Sequence, residues 1–360
     1  GGDDTLDYTS ATAPVVIDLR AATLENEIGG GGFLSFVDSA NQTVADGGHV
    51  IAFGVEIENA WGGTADDQLG GNAGDNVFVG GQGNDRLDGL EGTDTAQYTG
   101  SQTDYTLTLS ASEITLADRQ AARDGTDTLT NIETVTFAEE SGGSFDLAKF
   151  GAARSLSQAE LESFIELYIA YFNRAPDALG LNFWGSAFAT GTSLQEMAAL
   201  FNDQPETQAT YAADLSAAAF TTAVYDNVLG READADGFDF WVGVLESGAR
   251  SRDQFILSVL EGAKAPIAGG SPDQAAQQAA DQQYLQSKTD IVAYFAVIKG
   301  MSNLVDAQAA MQIFDGTESS IDAAVSAIDA DYAIASDPET GAFLMQLVGV
   351  IDDPFQTGLV

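Results

Sequence analysis

The 360-residue sequence has no cysteine and a single histidine, His49. Without thiols there are no disulfides, thiolate metal sites or cysteine nucleophiles. One imidazole excludes a histidine-rich metal cage. Bases are scarce as well: 13 Lys and Arg stand against 55 Asp and Glu, for a formal net charge of -42. Such a chain repels nucleic acid and anionic membrane surfaces, and it attracts cations. No apolar run approaches the ~20 residues of a membrane span. The longest, residues 291–298 and 343–351, are of buried-helix length, so membrane insertion is not expected. The HExxH, GxSxG and nucleotide-loop motifs are missing too, so enzymatic activity is not expected. The opening Gly1-Gly2-Asp3-Asp4 reads as the interior of a longer chain.

Glycine divides what remains. Residues 1–150 hold 23 of the 39 glycines, along with short alternating runs such as Val15-Val16-Ile17-Asp18-Leu19 and Tyr105-Thr106-Leu107-Thr108-Leu109. Alternating runs between Gly/Asp clusters predict β-strands. From Ser157 onward, Leu161, Phe164, Ile165, Tyr168 and Phe172 recur with helical period. The expected architecture is therefore multidomain, a β region at 1–150 followed by an all-α region at 151–360. Acidity ignores this boundary: each part carries -21, from 26 acids and 5 bases, then 29 acids and 8 bases. Metal binding alone cannot account for it.

A nine-residue repeat occupies 62–97. Its four copies begin at Gly62, Gly71, Gly80 and Gly89. The sixth position reads Asp67, Asn76, Asp85, Asp94, and the eighth reads Leu69, Phe78, Leu87, Ala96. Tight stacked turns need glycine where φ is positive or backbones approach closely. The eighth position is expected to point into a narrow core, and the sixth onto an outer turn beside neighbouring carbonyls. An all-oxygen environment of carboxylates and carbonyls suits Ca²⁺. Candidate metal-site residues are Asp67, Asn76, Asp85 and Asp94, with Asp66, Gly63, Gly81 and Gly83 in the same turns. Partial copies at 2–6 and 125–129 add Asp4 and Asp127.

The third copy, Gly80-Gly81-Gln82-Gly83-Asn84-Asp85-Arg86-Leu87-Asp88, resembles the RTX, or hemolysin-type calcium-binding, nonapeptide throughout. The others depart at Ala65, Asn72, Asn76, Leu90 and Ala96. The flanks at 53–60 and 128–137 also look like segments that bracket RTX arrays, so the likeness covers roughly residues 1–147. It implies a parallel β-roll with flanking β-structure, Ca²⁺ as the bound ion, export unfolded through type I secretion machinery, and folding in extracellular calcium. Residues 352–360 would then end the C-terminal secretion signal.

The helical part contains a tandem duplication. Residues 167–184 and 224–241 align without gaps at an offset of 57, matching Tyr168 with Tyr225, Arg174 with Arg231, Asp177 with Asp234, Gly180 with Gly237 and Trp184 with Trp241. Two helix–loop–helix units, about 157–213 and 214–270, are expected, within eight to ten helices over 155–350. Residues 291–295 are a candidate degenerate third copy. Ser157, Ser193 and Ser251 open capping boxes, and Ser271 precedes Pro272 at a first helical position. Glu232, Asp234 and Asp236 imitate an EF-hand start, but Gly243 stands where a bidentate Glu belongs. The loop is therefore read as a turn in which Asp177 and Asp234 cap the next helix. Arg174 and Arg231 are read as ion-paired. Trp184 and Trp241, with Phe183 and Phe240, are read as core rather than as a sugar-stacking platform. The repeated Arg-x-Pro/Ala-Asp-x-x-Gly motif resembles a helical domain of unknown function found at the ends of RTX exoproteins. More loosely, it is similar to the anchoring domain of calcium-dependent S-layer proteins.

Together these readings lead to the expectation of a secreted, calcium-binding cell-surface or matrix protein. Its helical part would attach to a surface polysaccharide or lipopolysaccharide, or assemble into a homo-oligomer. The alternative is a C-terminal secretion and folding module of a larger RTX enzyme, toxin or adhesin.

Overall fold

The computed structural model describes residues 2–23, 30–37, 43–138, 143–265 and 271–355. The chain forms two compact units, Gly1–Gly151 with Ile334–Met345, and Ala152–Ala333 with Gln346–Val360. The last residues of the expected secretion signal, 356–360, and the end of the second helical copy, 266–270, lie outside the described residues.

The first unit is built from mixed sheets. Its strands are β1 (Thr5–Asp7), β2 (Val15–Asp18), β3 (Gly31–Val37), β4 (Thr43–Val50), β5 (Asn59–Trp61), β6 (Gln68–Gly70), β7 (Val77–Val79), β8 (Arg86–Asp88) and β9 (Thr95–Gln97). These are followed by β10 (Tyr105–Ser110), β11 (Ile114–Asp118), β12 (Thr126–Thr130), β13 (Thr134–Thr136) and β14 (Ser144–Asp146). A further strand, β15 (Leu344–Val348), departs from the helix expected at 343–351 and from an all-α region at 151–360, and the boundary between the two units falls within it. One sheet has the order β1-β5-β7-β9-β13-β14, the other β15-β10-β11-β12-β8-β6-β2-β3-β4.

Consecutive nonapeptides thus alternate between sheets, and strands two repeats apart pair in parallel. Phe78 lies opposite Ala96, and Leu69 opposite Leu87, each 18 residues on. The eighth positions form two inward columns: Leu6, Ala60, Phe78, Ala96 and Val135 in one sheet, and Ile17, Leu69, Leu87 and Leu129 in the other. All nine are buried. The apolar seam is one side chain wide per strand; each Leu, Ile, Val or Phe in it contributes roughly 1.5–3 kcal/mol, and Ala60 and Ala96 contribute less. A seam this thin leaves much of the fold to the polar turns.

Those turns explain the glycines. A Cβ on Gly80 would strike the Asp85 carboxyl group. Gly81 has φ +97° and passes close over the Gly63 carbonyl. The fourth repeat puts Leu90 at the position of Gly81, with φ +70°. An L-residue there is strained by about 1 kcal/mol or more. Leu90→Gly is therefore expected to raise the stability of this unit by about 1 kcal/mol, read from its thermal or urea midpoint.

The second unit is helical, with ten α-helices among the described residues: α1 (Gln158–Phe172), α2 (Ala178–Ala189), α3 (Leu194–Asn202), α4 (Pro205–Thr210), α5 (Ala217–Leu229), α6 (Ala235–Glu246), α7 (Arg252–Lys264), α8 (Pro272–Val292), α9 (Leu304–Ile313) and α10 (Glu318–Ala335). A π-helical turn at Ala293–Ile298 extends α8. None is long and apolar enough to cross a membrane. Reciprocal caps form at Ser157/Glu160, Ser193/Glu196 and Ser271/Gln274.

The duplication is visible in space. α2 and α6 share the offset of 57 residue for residue, and α1 packs on α5 as α3 does on α7. Asp177 and Asp234 accept from the Gly180 and Gly237 amides, at 2.7 and 2.9 Å. Arg174 grips Glu206 with two bonds of 2.5 and 2.8 Å, and Arg231 grips Asp281 with two of 2.6 Å. Each guanidinium also lies over a tyrosine ring, Tyr168 or Tyr225. Trp184 and Trp241 pack edge-on against Phe201 and Phe255. Phe183 and Phe240 differ from the core reading: they are 43% and 60% exposed. They fall on the outward stripe of their helices, one residue off the face that holds the tryptophans.

Candidate metal centre

The sixth positions do not lie on an outer surface. Asp67, Asn76, Asp85 and Asp94 are each at most 1% exposed. The three aspartates each meet a backbone donor in or next to a neighbouring strand of their sheet, whereas Asn76 accepts from Asn72 in its own repeat. Asp67 Oδ1 accepts from the Val15 amide at 2.7 Å, Asp85 Oδ1 from Asp67 at 2.8 Å, and Asp127 Oδ1 from Asp85 at 2.9 Å. Along the other sheet Asp94 Oδ1 accepts from Asn76 at 2.7 Å, and Glu133 Oε2 from Asp94 at 2.8 Å. Asp4 donates its amide to Glu58 Oε2 at 2.7 Å, with its own side chain exposed.

An outer ladder runs in the opposite sense through the fifth positions. Asp66 Oδ1 accepts from Asn84 at 2.8 Å, and Asp75 Oδ1 from Thr93 at 2.7 Å. Asp66 is exposed, so its charge is held at the surface of the turn.

The second oxygen of each inner carboxylate separates the repeats. Asp67 Oδ2 accepts from Gly63 N–H at 2.6 Å, and Asn76 Oδ1 from Asn72 N–H at 2.8 Å. In the third and fourth repeats Asp85 Oδ2 and Asp94 Oδ2 are buried with no hydrogen-bond partner. An unsatisfied buried oxygen of a charged group costs several kcal/mol unless a proton or a cation meets it. The carboxyl acidities show the same strain. Burial, then the neighbouring Asp127, pushes Asp85 up to about 8. Burial raises Asp127 to about 7 and Asp94 to about 6, and lifts Asp67 above its ordinary value.

In the same turns, glycines pass close over carbonyls of the turn 18 residues earlier. Gly81 passes over the Gly63 carbonyl, Gly83 (φ +133°) over that of Ala65, and Gly92 over that of Gly74. No group of three or more His, Cys, Asp or Glu side chains converges among the described residues. An ion held here would take most of its ligands from the backbone, with one or two carboxylates supplying charge. A hard cation accepting 6–8 oxygens fits that donor set, and a soft metal does not. When bound, such an ion would supply the missing partner for Asp85 Oδ2 and Asp94 Oδ2.

Of the ten sequence candidates, Asp67, Asp85 and Asp127 share one inner column, Asn76 and Asp94 the other. Gly63, Gly81 and Gly83 shape the turns, Asp66 lies on the outer ladder, and Asp4 lies at the edge strand β1. Sequence reasoning missed Glu58 and Glu133. Both carry the signal that would have found them, an acid two residues before a buried apolar residue, Ala60 and Val135. It also missed Asp124, buried and bound by Thr99 and by the Tyr105 hydroxyl.

In comparison with known proteins, the pattern of a domain of unknown function, DUF4214, matches residues 198–265. This stretch runs from α3 through α7 and so includes the second copy of the duplicated unit. No curated protein matches the chain.

Proposed function

We propose that this is a secreted calcium-binding protein of the RTX type, whose first unit is a parallel β-roll that folds on extracellular Ca²⁺. The observation that carries this reading is the pair of buried, unpartnered carboxylate oxygens on Asp85 and Asp94, in stacked turns rich in carbonyls. The thin apolar seam adds to it, because ion binding then becomes folding energy. Millimolar calcium outside the cell saturates sites of the affinity that extracellular modules use. The helical unit, with the DUF4214 pattern in its second copy, serves as the attachment part, holding the chain to a surface polysaccharide or to further copies of itself. Nothing in this reading requires catalysis.

Calorimetric titration of the full chain with CaCl₂ tests it. Calcium should bind with release of protons at pH 7, because the acid forms of Asp85 and Asp127 must ionise. Asp85→Ala should weaken binding by about tenfold or more, and Asn76→Ala far less, since an amide contributes no charge to the site. Equal losses at both positions, or no binding heat at millimolar calcium, would remove the assignment.

A further inference from the structure

The two copies of the helical unit differ in one respect that their sequences do not announce. In the first copy the inner stripe of α2 is covered: Ala178, Leu181 and Asn182 are 0% exposed, and Ser186 is 5%. The cover comes from segments flanking the duplicated pair. Met301 O accepts from the Ala178 amide at 2.8 Å, and the Ala153 amide donates to Ser186 Oγ at 2.9 Å. α2 also packs on the π-helical turn at Ala293–Ile298.

The equivalent stripe of α6 is Ala235, Phe238, Asp239, Val242 and Gly243. Not one residue of α6 is buried. Ala235, Asp239 and Gly243 are exposed, and Phe238 and Val242 are half-covered. The Ala235 amide, unlike that of Ala178, has no protein acceptor among the described residues. Phe238 and Val242 thus stay half-exposed where their counterparts in the first copy, Leu181 and Gly185, are buried, which leaves a neighbour position on the α6 stripe unfilled.

We propose that this α6 stripe docks a helical segment of a partner protein, with a small apolar face and one Lys or Arg placed against Asp239. The first copy supplies the template for the apolar part, since Ala153, Leu156 and the π-helical turn fill the same place on α2. The charge of the occupant follows from substitution. Asn182, neutral and satisfied by the Ala178 carbonyl at 2.9 Å, becomes Asp239, flanked by Asp236 and Glu246 with no base on the helix. Covering that carboxylate with a neutral surface would strand it, whereas a cationic side chain satisfies it. A second copy of this chain fits poorly, because α6 has acids and no Lys or Arg to offer another α6. Residues 151–360 also hold 29 acids against 8 bases.

The test uses the full chain in calcium and a labelled model helix of about 18 residues, built from Ala and Leu with Lys along one edge. A version with Glu in place of Lys serves as comparison. Fluorescence anisotropy should show the Lys helix binding and the Glu helix not. Val242→Arg, which blocks the stripe, should weaken binding by about tenfold or more. Asp239→Asn should weaken it severalfold, and Asp273→Asn, which removes an equal charge from the exposed start of α8, should leave it unchanged. Two results would overturn the proposal. One is Val242→Arg and Asp239→Asn binding as well as Asp273→Asn, which would mean diffuse attraction to an acidic surface. The other is self-association of the chain abolished by Val242→Arg, which would make a second copy the occupant. Unchanged helical circular dichroism in each variant keeps unfolding out of the comparison.

Discussion

Replacing Asp85 with Asn is expected to make the calcium-free protein more stable and the calcium-loaded protein less responsive to the ion. Both effects come from one oxygen. Asp85 Oδ1 already accepts from Asp67 N–H, a bond that an asparagine carbonyl reproduces. Oδ2 has no partner and is buried, which is why the carboxyl group holds its proton up to about 8. At pH 7.5 without calcium, folding must protonate this group or bury its charge. Relative to an ordinary carboxylate that costs on the order of 3 kcal/mol or more. An amide escapes the cost. Asn76 shows that a sixth position accepts an amide, although its Nδ2 has the Glu58 carbonyl to donate to at 3.2 Å. Asp85 Oδ2 has no partner for an amide nitrogen to inherit, so part, but only part, of the gain is given back. Urea unfolding in EDTA should therefore shift to higher midpoint in Asp85→Asn, by on the order of 2–3 kcal/mol. The added stability conferred by calcium should shrink in the same variant. A variant less stable than the parent in EDTA would mean that Asp85 is satisfied in some way other than by an ion.

The second large effect is pH dependence that reverses with calcium. Asp85, Asp127 and Asp94 titrate near 8, 7 and 6 in the folded protein, and Asp67 is raised too. Unfolded aspartates titrate at 3.8. A raised folded value means that the folded state binds protons more tightly. Its stabilising contribution is complete below about pH 4 and is lost as pH rises through 6 to 8. Without calcium, the melting temperature of the first unit should fall steadily between pH 5 and 8.5. With saturating calcium the carboxylates are already ionised and neutralised by the ion, so that loss should disappear and apparent affinity should climb toward pH 8. Calcium-free stability that rises over this window would contradict the buried ladder.

Much of this was legible in the residues themselves. The nine-residue register, the glycines at its start and the apolar eighth position follow from local backbone demands. The same is true of the serine and aspartate caps of the helices, since each cap bonds to an amide three residues on. Burial of the sixth position was not legible. For the aspartates it depends on donors 18 to 52 residues away in sequence, and the repeat alone does not reveal that alternate copies share a sheet. Glu58 and Glu133 were missed for a different reason: the acid-x-apolar spacing continues there, but the glycine turn that marks a repeat is absent. The difference between α2 and α6 is also nonlocal. Their sequences align residue by residue, and only the segments that fold over α2 distinguish them.

Amide hydrogen exchange across the whole chain, with calcium and after chelation at pH 7.5, addresses the calcium account most directly. Residues 62–97 should be strongly protected in calcium and lose that protection in EDTA, while α1 and α5 keep theirs. Equal protection of 62–97 in both conditions would show that the stacked turns fold without an ion, and the calcium-dependent reading would fall.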